Sequence, residues 1–213
     1  MKSDNILQFK ITLNGSLPKI WRRILVPADY TFFDLHCAIQ NAMGWDDCHL
    51  HAFQFKDKKG IRDFINIATP MVDDNMYGDR IIDERLTLIC DYFGKVSKQC
   101  VYDYDFGDGW EHSVVLEKTM PKENGKYPRC IAGANACPPD DCGGIWGYIE
   151  LIKAIKNSKH PDHADMMDWL CIDSPDEFDP TKFDPDAVKF IDPKKRLVGW
   201  NKSFGTPASH KKK

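Results

Sequence analysis

Asp103, Asp105 and Asp108 fall within one six-residue span, and His112 follows four positions after the last of them. Carboxylates and an imidazole at that density suit a divalent cation or a general acid–base pair. Upstream, His49 and His51 are separated by a single residue, so on a strand their rings share one face. If that face and the one carrying His112 look into the same hollow, His49, His51 and His112 form a ligand set for zinc or another transition metal. The same groups have a plainer reading. Asp is a common turn residue beside Gly107 and Gly109, and a histidine on an apolar face often satisfies its hydrogen bonds inside a core.

A second chemistry is thiol-based. Cys130, Cys137 and Cys142 precede His160 and His163, but six and four residues intervene between the cysteines, so the paired knuckle of a structural zinc is missing. Cys142 stands just before an expected helix, where the dipole would lower a thiol's pKa and make it a nucleophile. Gly143 and Gly144 beside it serve equally well for a tight entry into that helix. Arg22 and Arg23 follow Trp21 and form the best basic–aromatic patch for a phosphate. On a strand they point to opposite faces, and one is expected to pair internally with a carboxylate such as Asp105. The catalytic candidates are therefore Asp105, Asp108, His112 and Cys142. The binding candidates are His49, His51, Trp110 and Arg22. The expected cofactor, if any, is a divalent metal. No glycine-rich phosphate cradle occurs in the chain.

The elements that must position these residues show in the periodicity. Leu7, Phe9, Ile11 and Leu13 alternate with polar residues as a half-buried strand, Asn14-Gly15-Ser16 turns, and residues 20–26 return as its partner. Thr31 can cap a helix with Asp34 near its positive end, Phe32, Leu35, Ile39, Ala42 and Met43 as its apolar stripe, and Gly44 as its stop. A strand is expected over 49–56. A long polar excursion over 57–85 carries only a short strand at 64–67. Residues 99–106 and 110–118 make the clearest hairpin, around Gly107-Asp108-Gly109. A Pro/Gly/Cys-rich loop over 119–144 leads to a helix over 145–158, a further helix opens at Pro161, and a short one runs over 185–191.

Composition sets the frame. The chain has 213 residues, 42% of them hydrophobic and 29% charged, enough for one well-buried core and short for two. The net charge of −3 provides no overall field for nucleic acid. The fold class expected is α+β, a single-domain α/β roll with a mixed, mostly antiparallel sheet and helices packed on it, over residues 1–192. Residues 193–213, with Lys194-Lys195-Arg196 and Lys211-Lys212-Lys213, are expected to be a flexible basic tail. There is no export-type apolar segment and no apolar run of ~18 residues, so neither secretion nor a membrane span is expected. Eight cysteines in such a chain are expected to be reduced thiols in a cytoplasm.

The order of short motifs also carries a likeness. Pro18-Lys19-Ile20-Trp21-Arg22-Arg23, Asp34-Leu35-His36 with Gly44-Trp45, His49-Leu50-His51-Ala52-Phe53, residues 102–112 and Cys137-Pro138-Pro139-Asp140-Asp141-Cys142-Gly143-Gly144 together closely resemble the plasmid pRiA4b ORF-3-like family. The resemblance runs from about residue 6 to about residue 191 and leaves the tail unmatched. It implies an α+β roll. It implies little about activity, because the family mostly lacks an assigned one, although some members carry plasmid or transposon labels. The expectation that follows is a binding or accessory module, linked to mobile-element biology, with a nucleic acid or protein partner. The competing expectation, from the residues, is a metal-dependent or acid–base hydrolase built on the His/Asp cluster.

Overall fold

Alternation along the strands builds one sheet with a buried face and a wet one. A computed structural model describes residues 4–56, 64–70 and 81–204. Its strands are β1 (Asn5–Leu13), β2 (Trp21–Pro27), β3 (His51–Lys56), β4 (Phe64–Ala68), β5 (Ile81–Asp83), β6 (Gln99–Tyr104), β7 (Trp110–Pro121) and β8 (Arg129–Ala134). They form an eight-stranded sheet in the order β5-β4-β3-β6-β7-β1-β2-β8. Every neighbouring pair is antiparallel except β4 and β5. The α+β class and the mostly antiparallel sheet agree with the sequence pattern. The polar excursion falls largely on residues 57–63 and 71–80, outside the described residues.

Register decides which side chains meet on the buried face. Tyr102 is opposite Phe53 on one side and His112 on the other, and Tyr104 is opposite His51 and Trp110. Ile11 is opposite Val114 and Arg22, so Arg22 lies on this same face. The other face is polar: Gln8 and Arg23 both bond Glu117, at 2.7 Å each, with Arg23 using a second nitrogen at 2.9 Å.

Helix α1 (Phe32–Met43) lies across the buried face. Thr31 and Asp34 close a capping box at its start, and Gly44 takes a left-handed conformation, φ 102°, at its end. Phe32 packs edge-on against Phe53 and Phe55 from the first turn. Helices α2 (Gly144–Lys156) and α3 (His163–Trp169) follow, the latter starting two residues after Pro161. The 185–191 segment forms only a 3-10 turn at Pro185–Ala187.

One expectation fails clearly. Residues 193–204 are not a free tail: Pro193–Phe204 is a helix, α4, docked against α1. Trp200 packs against Phe33, and Arg196 reaches Asp47 at 3.0 Å. Residues 205–213, with the second lysine run, lie outside the described residues. No described helix is long and apolar enough to cross a membrane.

Candidate metal centre

Three loops from distant parts of the chain meet at one end of the sheet. The first, between α1 and β3, carries Asp46, Asp47 and His49. The second is the turn between β6 and β7, with Asp105 and Asp108. The third is the segment 137–144 before α2.

Each loop is held by named contacts. Trp45 donates its indole N–H to the Pro138 carbonyl at 2.9 Å. The Asp140 carboxylate accepts from the Asp46 backbone N–H at 3.1 Å and from the Tyr104 hydroxyl at 3.2 Å. Asp108 accepts from the Gly143 N–H at 3.1 Å, which ties the hairpin tip to the third loop. The next residue, Gly144, has φ 67°, and a Cβ there would drive into the Asp108 carbonyl. Asp105 takes the left-handed region at φ 53°. Its N–H bonds the Leu50 carbonyl at 2.9 Å and its side chain accepts from the Gly107 N–H at 2.9 Å.

This scaffold brings together His49, Asp105 and Asp141. One donor atom from each lies within 4.8 Å of the other two, the only such trio among the described residues. The His49 Nε2 is 3.2 Å from Asp141 and 3.7 Å from Asp105, yet among the described residues it makes no hydrogen bond. Asp105 is nearly buried, whereas the Asp141 side chain is 69% exposed, so the trio opens to solvent on one side.

Behind His49 lies a buried polar network. His36, from α1, stacks face to face on His51, with ring centres 3.4 Å apart and planes 1° from parallel. His36 Nε2 is 2.6 Å from Asp47, and its Nδ1 is 2.7 Å from the Tyr102 hydroxyl. Gln40 also donates to that hydroxyl, at 2.9 Å. With Gln40 donating, the single hydroxyl proton of Tyr102 goes to His36 Nδ1, so Nε2 carries the ring proton toward Asp47. Burial, reinforced by His51, holds the His36 pKa below its ordinary value, in keeping with a neutral ring. His51 Nε2 is 2.6 Å from Glu84, whose other oxygen accepts from Thr69. Burial pushes the Glu84 carboxyl up, but His51, His36 and Thr69 together hold it below its usual range. Trp200 of α4 donates to the Thr69 hydroxyl at 2.7 Å. Asp47, held by His36 and Arg196 at φ 63°, fixes the loop that presents His49 two residues later.

The sequence candidates are thus distributed over different environments. His49, His51 and His112 do not share a ligand point. His51 belongs to the buried network. His112 is in the core with Nδ1 donating to the Tyr102 carbonyl at 3.2 Å, Nε2 unpartnered, and Trp45 edge-on at 5.2 Å. Trp110 is fully buried and offers no surface for binding. Asp108 staples loops. The Cys142 thiol is pushed up to about 12 by burial and then by Asp108, Asp140 and Asp141, the reverse of an activated nucleophile. Neither arginine pairs with Asp105, because β7 and β1 stand between β2 and β6 in the sheet: Arg22 bonds backbone carbonyls, and Arg23 pairs with Glu117 on the polar face. Two signals were available for residues that sequence reasoning passed over. His36 and Gln40 stand four and eight places after Phe32 on the apolar stripe of α1, where a polar side chain needs a buried partner. Asp141 carries no periodic signal at all, since it sits in an irregular loop.

Comparisons with known proteins agree with this fold. A family model described as plasmid pRiA4b ORF-3-like protein matches residues 5–187. A protein of Sinorhizobium fredii named "Uncharacterized protein y4hQ" is 35% identical over 166 residues, covering 78% of this chain and 80% of that protein. The crystal structure of a protein of unknown function, MM3350, from Methanosarcina mazei Go1 is 41% identical, with a TM-score of 0.76 over 87% of this chain and 98% of that one.

Proposed function

The chain belongs to the plasmid pRiA4b ORF-3-like family, and from that footing we propose that it is a binding module working through a divalent metal ion held by His49, Asp105 and Asp141. One observation carries the reading. The 3.2 and 3.7 Å separations hold two carboxylates beside a His49 Nε2 that makes no hydrogen bond to either. Donor atoms sharing an ion at ~2.1 Å are themselves about 3.0 to 3.4 Å apart, so the His49–Asp141 spacing matches a coordination shell and Asp105 needs only a small side-chain shift to join it. An imidazole with two carboxylates suits zinc or manganese better than the oxygen-preferring magnesium.

Three protein ligands leave positions for an outside oxygen. Asp141 places them toward solvent, so the ion can capture a carboxylate or phosphate oxygen of a partner. The surroundings are acidic, with Asp46, Asp108 and Asp140 close by, so an anionic partner needs the ion's positive charge to approach. The open positions also favour a second reading, hydrolysis by metal-bound water, as in catalytic sites with three protein ligands. Asp140 is the candidate base, its carboxyl raised above the usual range chiefly by burial. Eight unpaired cysteines support a reducing, cytoplasmic location.

Equilibrium dialysis of the full chain against zinc, manganese and magnesium, followed by metal analysis, tests the site. One ion per chain is expected, with binding weakened by about a hundredfold in His49→Ala and Asp105→Asn. Unchanged binding in both folded variants would remove the centre. Turnover of a simple phosphodiester or ester by the loaded protein, lost in the same variants, separates hydrolysis from binding.

A further inference from the structure

Arg22 is 1% exposed, and among the described residues no carboxylate pairs with it. A guanidinium has five N–H donors. Nε donates to the Ala42 carbonyl at 2.8 Å, and Nη1 donates to the Trp21 and Ala134 carbonyls at 2.9 and 3.0 Å. Among the described residues neither donor of Nη2 meets an acceptor. Ala42 lies in the last turn of α1, where carbonyls lack helical partners, so the clamp explains three donors and leaves the other two unexplained.

The surroundings look built around that free edge. The Phe183 ring lies 3.6 Å from the guanidinium centre. It fits because position 133 on β8 is glycine: a Cβ there would strike the Phe183 ring and approach the Trp21 carbonyl to 2.9 Å. Arg22 and Phe183 line a groove of about 760 Å³ between the end of α1, residues 136–140 and the 182–189 segment, with Trp45 and Trp169 also on its wall. That volume is within the range of small-molecule sites. Arg22, Lys182 and Lys189 set three positive charges against Asp46, Asp140 and Asp184 around it. Two of those carboxylates are already engaged, Asp184 by the Asp186 N–H and Asp140 by the Asp46 N–H and the Tyr104 hydroxyl. Arg22 is thus the buried charge on the wall, and among the described residues it has neither a counter-ion nor a full set of acceptors.

We propose that this groove binds a small aromatic molecule carrying one oxyanion, a carboxylate or a phosphate, whose oxygen accepts from the two Nη2 donors of Arg22 while its ring packs against Phe183 and the tryptophans. The groove adjoins the metal centre through Asp46 and Asp140, but none of His49, Asp105 and Asp141 lines it, and binding there needs no ion.

The test uses the full chain stripped of metal with a chelator, so that loss of the metal centre cannot imitate failure here. Benzoate, phenyl phosphate and neutral benzyl alcohol are titrated, with tryptophan fluorescence, calorimetry and nitrogen–proton spectra of the arginine side chains as readouts. Saturable millimolar or tighter binding of benzoate or phenyl phosphate, with a shifted Arg22 side-chain signal and no binding of benzyl alcohol, is expected. Preference for one of the two anions identifies the oxyanion. Phe183→Ala should weaken binding by about tenfold, and Arg22→Lys by at least as much. Because Arg22 also closes α1, Phe183→Ala and the side-chain spectrum of the unaltered protein decide the matter if Arg22→Lys does not fold. The proposal is overturned if neither anion saturates, if benzyl alcohol binds equally well, or if the Arg22 signal stays still while the anions bind.

Discussion

His112 illustrates how a residue type that suggests a site can instead write acid sensitivity into a core. Burial lowers its pKa to about 4, against a backbone hydrogen bond to Tyr102 that works the other way. In the unfolded chain the ring protonates near pH 6.5. Between those values the unfolded state holds more protons than the folded one, so stability falls as pH drops through that window and levels off below about 4. The full effect is about 3 kcal/mol. Denaturant melts of the unaltered chain and of His112→Leu across this range should show the two stabilities drawing together in acid. A gap that stays constant would mean that His112 does not titrate as its burial requires. At this scale the sequence singled out His49 and Asp105, which the fold brings near each other, but not Asp141 beside them. Asp141 is brought in by the Asp140, Trp45 and Gly143 contacts, which depend on tertiary structure and leave no trace in local spacing.

Elements were far more legible than sites, because burial imposes a period on them. The alternation in β1, β6 and β7 and the stripe in α1 correspond to real faces. Helix α4 was missed because Lys194, Lys195 and Arg196 dominate its start, while it is anchored by an ion pair from Arg196 and by the single ring of Trp200 on Phe33 and Thr69, which make no apolar stripe. The solvent face of the β6–β7 hairpin holds a local conflict. Asp103 is directly opposite Glu111, and burial, followed by that neighbouring charge, raises the Asp103 carboxyl to about 6. A raised acid is a stability cost that appears as pH rises through its folded value. Asp103→Asn should therefore stabilise the protein at pH 7 by about 0.5–1 kcal/mol, and the gain should vanish below about pH 4, where the carboxyl is protonated in both states. Thermal melts at two pH values check it; an equal gain at both would trace the effect to something other than charge.

For the molecule as a whole, α4 is the unexpected part. The family match ends at residue 187, and α4 begins at Pro193, yet this helix supplies Arg196 to Asp47 and Trp200 to Thr69. Ending the chain at Asp192 would leave a carboxylate and a hydroxyl of the buried network without those partners. Stability should fall by about 3 kcal/mol or more, and metal binding at His49 should weaken, since Asp47 orders that loop. Chemical denaturation and metal dialysis of the shortened chain measure both. Equal stability and equal affinity would make α4 an ornament.

The parallel imidazoles of His36 and His51 have a consequence for anyone observing this protein in solution. Each ring sits over the other's aromatic current, close enough to shield its carbon-bound protons strongly. Those four resonances should stand well upfield of the corresponding ones of the remaining histidines. They form a gauge embedded in the core, on the far side of Asp47 from the ligand loop, and any event that tilts one ring against the other is visible there without a label.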